Sequence, residues 1–360
     1  MEITEILNIP PYSLNKTEKG KLFNSFLTGL SRYHYSNCTP YREMMNSIGF
    51  DPKKNYCYSD LPFLPVQLFK TTELHTAPKN EIIKTLSSSG TSGQATSKVF
   101  LDRENALNQT KVLTKIVSSF IGSKRLPLIL IDSENVINER NQLSAFNAGV
   151  IGFSLFGSKK TFALNERMEL DLDRLLTFIK QHQGEPILVF GVTFKAYRYF
   201  CVALEQSGIK IDLSKATLIH GGGWKKLESE SVSGKAFRKR LYEVSGITNI
   251  HDYYGMVEQT GSIYMECAFG HYHTSIFSDV LIRRPHNFSI AGIGEEGVIQ
   301  VVSLLPKSYP GHSILTDDTG VLLGEDDCPC GRLGKYFKIN GRLQNSELKG
   351  CSNTYEESVK

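Results

Sequence analysis

An α/β fold is what this sequence predicts, and three observations predict it. Between residues 82 and 245, short apolar runs of strand type alternate with stretches of helical spacing. That alternation is the mark of α/β units on a mostly parallel sheet flanked by helices. After residue 262 helical spacing fades and strand-like runs follow one another, so a β-rich subdomain closes the fold. The third observation is bulk: 360 residues with 40% apolar and 22% charged side chains suit a soluble chain with a large core and two domains.

Taken in order, residues 1–80 read as mixed helix and loop, broken by prolines at 10, 11, 40, 52, 62, 65 and 78, and carry no recognisable chemistry. A strand is expected through Ile82, Ile83 and Leu86, with a β-branched return at Val99 and Phe100. The apolar run 126–132 reads as a strand. Residues 170–183 have helical spacing (Leu172, Leu175, Leu176, Ile179), and 186–191 form a short buried strand followed by a helix over 194–206. Another strand is expected at 217–220 and a basic helix near 231–245. Strands at 262–266, 275–282 and 297–303 make the β-rich end.

Charge and termini narrow the class. A net charge of +4, dispersed apart from the short clusters 238–240 and 283–284, does not suggest nucleic-acid binding. The start Met1-Glu2-Ile3-Thr4-Glu5 is acidic and unlike a secretory leader. No apolar run approaches the roughly 20 residues needed to cross a bilayer. Seven cysteines, an odd number, suggest reduced thiols in cytoplasm.

The densest motif is Ser87-Ser88-Ser89-Gly90-Thr91-Ser92-Gly93. Glycines let the backbone approach a ligand, and exposed N–H and hydroxyl groups suit phosphate oxygens, so the run reads as a triphosphate loop. A flexible Ser/Gly surface loop fits the composition equally. A Walker loop is excluded because no second glycine precedes Lys98, and the dinucleotide fingerprint is absent. His220-Gly221-Gly222-Gly223-Trp224 follows a strand; three glycines there favour a ligand site over a plain turn. In Tyr253-Tyr254-Gly255-Met256-Val257-Glu258, a tyrosine ring can stack on a purine and the carboxylate can hold Mg²⁺. Thr316-Asp317-Asp318-Thr319-Gly320 places two carboxylates in an expected turn, suited to ribose hydroxyls or to an ordinary Asx turn. Arg342, after Gly341, adds a guanidinium. Cys267, His273, Cys328 and Cys330 offer the donors of a closed structural zinc site, with His271 a rival to His273 and simple packed thiols the alternative.

The order of these motifs resembles that of adenylate-forming enzymes, the superfamily of acyl-CoA synthetases and luciferases. The missing Pro and Lys after Gly93 point to its phenylacetate-CoA ligase-like branch. Segments 220–227 (HGGGWKKL), 253–267 (YYGMVEQTGSIYMEC), 328–342 (CPCGRLGKYFKINGR) and 349–357 (KGCSNTYEE) resemble the LuxE-type acyl-protein synthetases. These belong to the fatty-acid reductase that supplies aldehyde to bacterial luciferase. The resemblance covers roughly residues 80–357.

The resemblance implies an N-terminal region 1–80 packed on an adenylate-forming domain 81–340, whose β-rich subdomain begins near 262, and a short segment 341–360 in place of a full C-terminal domain. It implies that ATP and a fatty acid form acyl-AMP and pyrophosphate. Ser88, Ser89, Gly90, Thr91, Ser92 and Gly93 would hold the β- and γ-phosphates, and Gly221, Gly222 and Gly223 would line the adenine slot. Tyr254 would pack on the base, Glu258 would bind Mg²⁺, and Asp318 with Arg342 would grip the ribose. Val257 stands where the superfamily has Thr. The superfamily's C-terminal catalytic lysine has no counterpart; Lys225, Lys226 and Lys349 are the candidate substitutes. Cys351, nine residues after Arg342, would be the acyl acceptor, forming a thioester. A LuxC-like reductase and a LuxD-like acyl-transferase would be the partners. The rival readings are a ligase that acylates coenzyme A or a carrier, as in surface-sugar modification, and a degenerate adenylate-binding regulatory subunit.

Overall fold

The computed structural model describes residues 3–88, 96–138, 145–224 and 232–343, with the backbone alone at 137–138 and 145–148. Its strands are β1 (Leu64–Pro65), β2 (Ile82–Ser87), β3 (Lys98–Asp102), β4 (Leu126–Leu130), β5 (Gly157–Phe162), β6 (Leu188–Val192) and β7 (Thr217–Gly221). They continue with β8 (Asn249–Tyr254), β9 (Tyr264–Glu266), β10 (Tyr272–His273), β11 (Ser278–Arg283), β12 (Glu296–Ser303), β13 (Ser313–Glu325) and β14 (Lys335–Arg342). The residues fall into two compact units: 1–116, 256–264 and 269–360 in one, and 117–255 with 265–268 in the other.

The second unit carries the parallel sheet, in the order β8-β7-β6-β4-β5. Its central strands β4 and β6 are apolar runs without alternation, with Leu128, Ile129, Leu130 and Val189 each fully buried, as expected when both faces are covered; the outer strand β5 exposes Ser158, Lys159 and Lys160. The helix Leu172–Gln181, capped at its start by Asp171, turns Leu175 and Phe178 into this core. A helical stretch over 193–207 follows β6 and ends at Gly208 in the left-handed conformation, φ 67°. The helix Gly234–Ser245 begins on a Ser233 cap and likewise ends at a left-handed glycine, Gly246, φ 71°. The strand order reverses between β4 and β6, which makes their C-terminal ends the topological switch point of the sheet.

The first unit is built on antiparallel strands β11-β12-β13-β14-β10, with β1 added parallel to β13 and a separate β2–β3 hairpin. Between 260 and 343 no residue is helical, as the loss of helical spacing predicts. The helix Lys16–Asn37 starts on a capping box: the Asn15 side chain accepts from the backbone N–H of Thr17 and Glu18, and Glu18 accepts from that of Asn15. Lys19 from this helix reaches buried Asp279 on β11 at 3.3 Å, and Lys335 on β14 reaches the same carboxylate at 2.9 Å. Although burial opposes the charge, the two ammonium groups hold Asp279 well below the usual carboxylate range. Nearby, His34 and His312 stack at 4.8 Å, both buried, with His312 Nε2 2.9 Å from Ser31 Oγ.

One expectation fails here. Residues 316–320 are not a turn: β13 runs unbroken from Ser313 to Glu325. The Asp/Gly chemistry that reads as a turn serves a bulge between Thr319 and Gly320, where a β-carbon on Gly320 would collide with the Lys338 carbonyl of β14.

Candidate active site

In the first unit the β2–β3 hairpin presents the base of the Ser/Gly loop. Ser88 donates its N–H to the Ser97 carbonyl at 3.0 Å, and its hydroxyl accepts from the Ser97 N–H at 2.9 Å. Ser88 is therefore a pin across the loop's mouth. Ser89, Gly90, Thr91, Ser92 and Gly93 lie outside the described residues, as do Lys225, Lys226, Lys349 and Cys351.

Glu258 sits on a single 3₁₀ turn, Val257–Gln259, with only 4% of its surface exposed. The turn is fixed on every side. Tyr309 donates its hydroxyl to the Glu258 carbonyl at 2.8 Å, and the Gln259 amide donates to the carbonyls of Val301 and Gly311 at 3.1 and 2.9 Å. At Gly261, φ +88°, a side chain would meet the Gln109 backbone. Burial raises the Glu258 carboxyl above its ordinary range; Ser97 and Lys70 pull it back and Asp317 pushes it further up. Ser97 Oγ is fully buried and lies near this carboxyl without reaching ordinary hydrogen-bond geometry with any described residue. A buried carboxyl beside an unsatisfied hydroxyl and a second carboxyl is a donor set of hard oxygens, which suits Mg²⁺.

The two aspartates of β13 have different partners. Asp317 accepts a hydrogen bond from the Gln67 amide, and burial raises its carboxyl while Lys70 lowers it. Asp318 stands opposite Arg342 in the β13–β14 register, 3.4 Å from carboxyl to guanidinium. Arg342 is 84% exposed, so its remaining donors face outward. Gln67 and Lys70 come from the region that offered no chemistry in sequence; no periodicity or motif marks them.

In the second unit, functional side chains gather at the C-terminal ends of the parallel strands. Lys195, just after β6, contacts both carboxyl oxygens of Asp132, just after β4, at 2.8 Å. This pair occupies the topological switch point and went unnoticed in sequence. His220, the next-to-last residue of β7, has Nδ1 3.0 Å from Thr193 Oγ1 and 3.5 Å from Asp252. Burial lowers its imidazole to about 4, opposed by Glu266 and assisted by Arg238, so it is a neutral group at pH 7. The glycines after it divide in role. Gly221 is filled by the Tyr253 ring, Gly222 (φ +81°) abuts Val192, and Gly223 (φ +64°) faces open space. Tyr253 is wedged beside Phe153, centroids 5.4 Å apart, while Tyr254, the next residue, is half-buried.

The cysteine and histidine set divides between the units, with Cys267 in the second and His273, Cys328 and Cys330 in the first. Within the first, Cys330 Sγ is 3.3 Å from His273 Nε2, and the ligand atoms of His273, Cys328 and Cys330 lie within 4.8 Å of one another. None of the three thiols is in a disulfide. A tetrahedral zinc with about 2.3 Å bonds to sulfur needs sulfurs about 3.8 Å apart, so His273, Cys328 and Cys330 suit three of that ion's four ligand positions. The rival His271 instead places Nδ1 3.4 Å from Cys328 Sγ and stacks on Tyr336.

The profile of the family described as acyl-protein synthetase, LuxE, matches residues 2–360. The chain belongs to the LuxE family. Two curated relatives are long-chain-fatty-acid–luciferin-component ligases. The one from Vibrio harveyi is 24% identical over 362 residues, covering 95% of this chain and 89% of the relative. The one from Aliivibrio fischeri is 23% identical, covering 91% and 87%. Among solved structures, an open conformation of 2-hydroxyisobutyryl-CoA ligase, in complex with 2-HIB-AMP and CoA, has a TM-score of 0.70 at 15% identity. It covers 93% of this LuxE-family chain and 77% of that one. The same ligase in its thioesterification state also has a TM-score of 0.70, with 93% and 70% covered. This likeness shows a shared fold, that of an adenylate-forming ligase. No helix among the described residues is long and apolar enough to cross a membrane.

Proposed function

We propose that this LuxE-family chain activates a long-chain fatty acid with ATP and passes the acyl group to its own Cys351 as a thioester. The observation that carries the reading is the buried Glu258 carboxyl on a firmly held turn, with Asp317 of β13 acting on it, in a chain matched to the acyl-protein synthetases along its length. Ser88 and the loop after it would hold the β- and γ-phosphates. Asp318 and Arg342 would take the ribose, and Tyr254 with Gly222 and Gly223 the base. Mg²⁺ would be held by Glu258; bound there, it neutralises phosphate charge and orients the triphosphate. The carboxylate of the fatty acid attacks the α-phosphorus and pyrophosphate leaves, a step that demands positioning and charge stabilisation rather than proton transfer. The Cys351 thiolate then attacks the acyl carbonyl and AMP leaves. Zinc would pin the hairpin that carries His273 to the Cys328–Cys330 turn and take no part in the reaction. The reading extends to a cytoplasmic protein handing its acyl group to a LuxC-like reductase, with a LuxD-like transferase supplying fatty acid, as in aldehyde supply for luminescence.

The test of the adenylation half is Glu258→Gln. Fatty-acid-dependent exchange of labelled pyrophosphate into ATP should fall at least about a hundredfold with the melting temperature unchanged. Exchange at the wild-type rate would contradict the assignment.

A further inference from the structure

The adenylation step gathers negative charge. On the reading proposed above, the attacking carboxylate and the triphosphate would meet near the carboxyls of Glu258 and Asp317, and a cation fixed there would stabilise the transition state more than the separated reactants. Among the described residues of the first unit, two basic side chains act on Asp317: Arg342, already opposite Asp318 and largely exposed, and Lys70.

The placement of Lys70 is built by the fold. β1 pairs in parallel with β13, Leu64 opposite Ile314 and Pro65 opposite Leu315, two residues short of Asp317. The Val66 N–H extends the pairing to the Leu315 carbonyl at 2.9 Å. Gln67 then bonds Asp317, and the one-turn helix Leu68–Thr71 follows. Within that turn Phe69 is buried edge-on against Tyr309, 6.4 Å between centroids, and Tyr309 in turn holds the Glu258 carbonyl. Gln67 and Lys70 are three residues apart, the spacing that places side chains on one face of a helix. The half-buried Lys70 side chain has no hydrogen bond or salt bridge among the described residues. Its charge nevertheless favours the ionised form of Asp317, the carboxylate that Gln67 bonds.

We propose that Lys70 is a catalytic residue of the adenylation half-reaction, its ammonium contacting the oxygens of the α-phosphate as the fatty-acid carboxylate attacks. The inference rests on the adenylating role proposed above. In the step itself a carboxylate oxygen forms a bond to the α-phosphorus, the bond from that phosphorus to the bridging oxygen breaks, and pyrophosphate leaves with the electron pair. No proton moves, so Lys70 stays an ammonium throughout. The region that looked inert in sequence would thus bring a cation to the site, beside the candidates Lys225, Lys226 and Lys349 that lie outside the described residues.

The experiment uses the full chain and separates the two half-reactions. Lys70→Ala and Lys70→Arg are assayed for pyrophosphate exchange with dodecanoate and hexadecanoate, and for label transfer from preformed dodecanoyl-AMP to the protein. Lys70→Ala should lose about 10²–10³ in the exchange kcat with a smaller change in the KM for ATP. Lys70→Arg should recover part of it, and transfer from dodecanoyl-AMP should stay within about threefold for both. Exchange by Lys70→Ala within about threefold of wild type would overturn the proposal. So would an equal loss in exchange and in transfer, which marks a merely structural lysine. Failure of the wild-type chain to exchange with either acid would instead remove the adenylation reading itself, and this inference with it.

Discussion

Asp318 and Arg342 face each other across the β13–β14 ladder, carboxyl to guanidinium 3.4 Å, although twenty-four positions separate them in sequence. The pair joins the T-x-D and G-R motifs into one acceptor-and-donor unit with the rest of the guanidinium in solvent. An exposed ion pair of this kind contributes little to folding, so its function is expected in binding.

Arg342→Ala should therefore leave the melting temperature within about a degree while raising the KM for ATP about tenfold or more, the scale of a lost charged hydrogen bond. Thermal unfolding and steady-state exchange kinetics check both halves. A large loss of stability with an unchanged KM would mean that the pair holds the sheet and not the nucleotide.

Metal analysis of the purified protein should find about one zinc per chain. Cys330→Ser should abolish it and lower the melting temperature, and a chelator should do the same to the wild type. Wild-type protein that is metal-free and equally stable with or without added zinc would remove the site.

Acid should destabilise the chain through the His34–His312 stack. Both rings are buried and uncharged; burial depresses His312 to about 3, and burial together with its neighbour depresses His34 well below its usual value. A depressed folded value means stability that is intact above the unfolded value of about 6.5 and lost as pH falls toward the folded one. At pH 5 the His312 ring should cost about 2 kcal/mol relative to pH 7.5, with His34 acting in the same direction. Denaturant unfolding across this range should show His312→Gln less stable at pH 7.5 but shallower in its pH slope by about one proton. An unchanged slope would contradict it.

Part of the fold was legible because the central parallel strands β4 and β6 are buried along nearly their whole length, whereas β5, with three exposed polar residues, and β8 gave no such signal. Residues 126–130 are apolar at every position, and so are read as a core strand without knowledge of their neighbours. The helix Leu172–Gln181 was legible from its apolar spacing. The 316–320 segment was misread because Asp and Gly carry the same signal for a turn and for a bulged strand; only the partner strand β14 decides between them. Cys267, His273, Cys328 and Cys330 were visible as a candidate metal set because few residue types bind zinc. Lys70 was invisible for the opposite reason: a lysine is common, and what makes this one distinctive is the pairing of β1 with a strand some 250 positions away, a long-range contact with no local trace. The Lys195–Asp132 pair was hidden in the same way, since the order β5-β4-β6 that brings it to the switch point is a property of topology.

The central claim is that one chain both makes the acyl-adenylate and receives the acyl group. Incubation with labelled fatty acid and ATP, followed by hydroxylamine treatment, tests it most directly. The wild type should retain a hydroxylamine-labile label, whereas Cys351→Ser should keep wild-type pyrophosphate exchange and retain no label, because a serine hydroxyl is a far poorer nucleophile than a thiolate near neutral pH. A label that persists on Cys351→Ser would contradict the acceptor assignment, and acyl-CoA formed without any protein label would contradict the account as a whole.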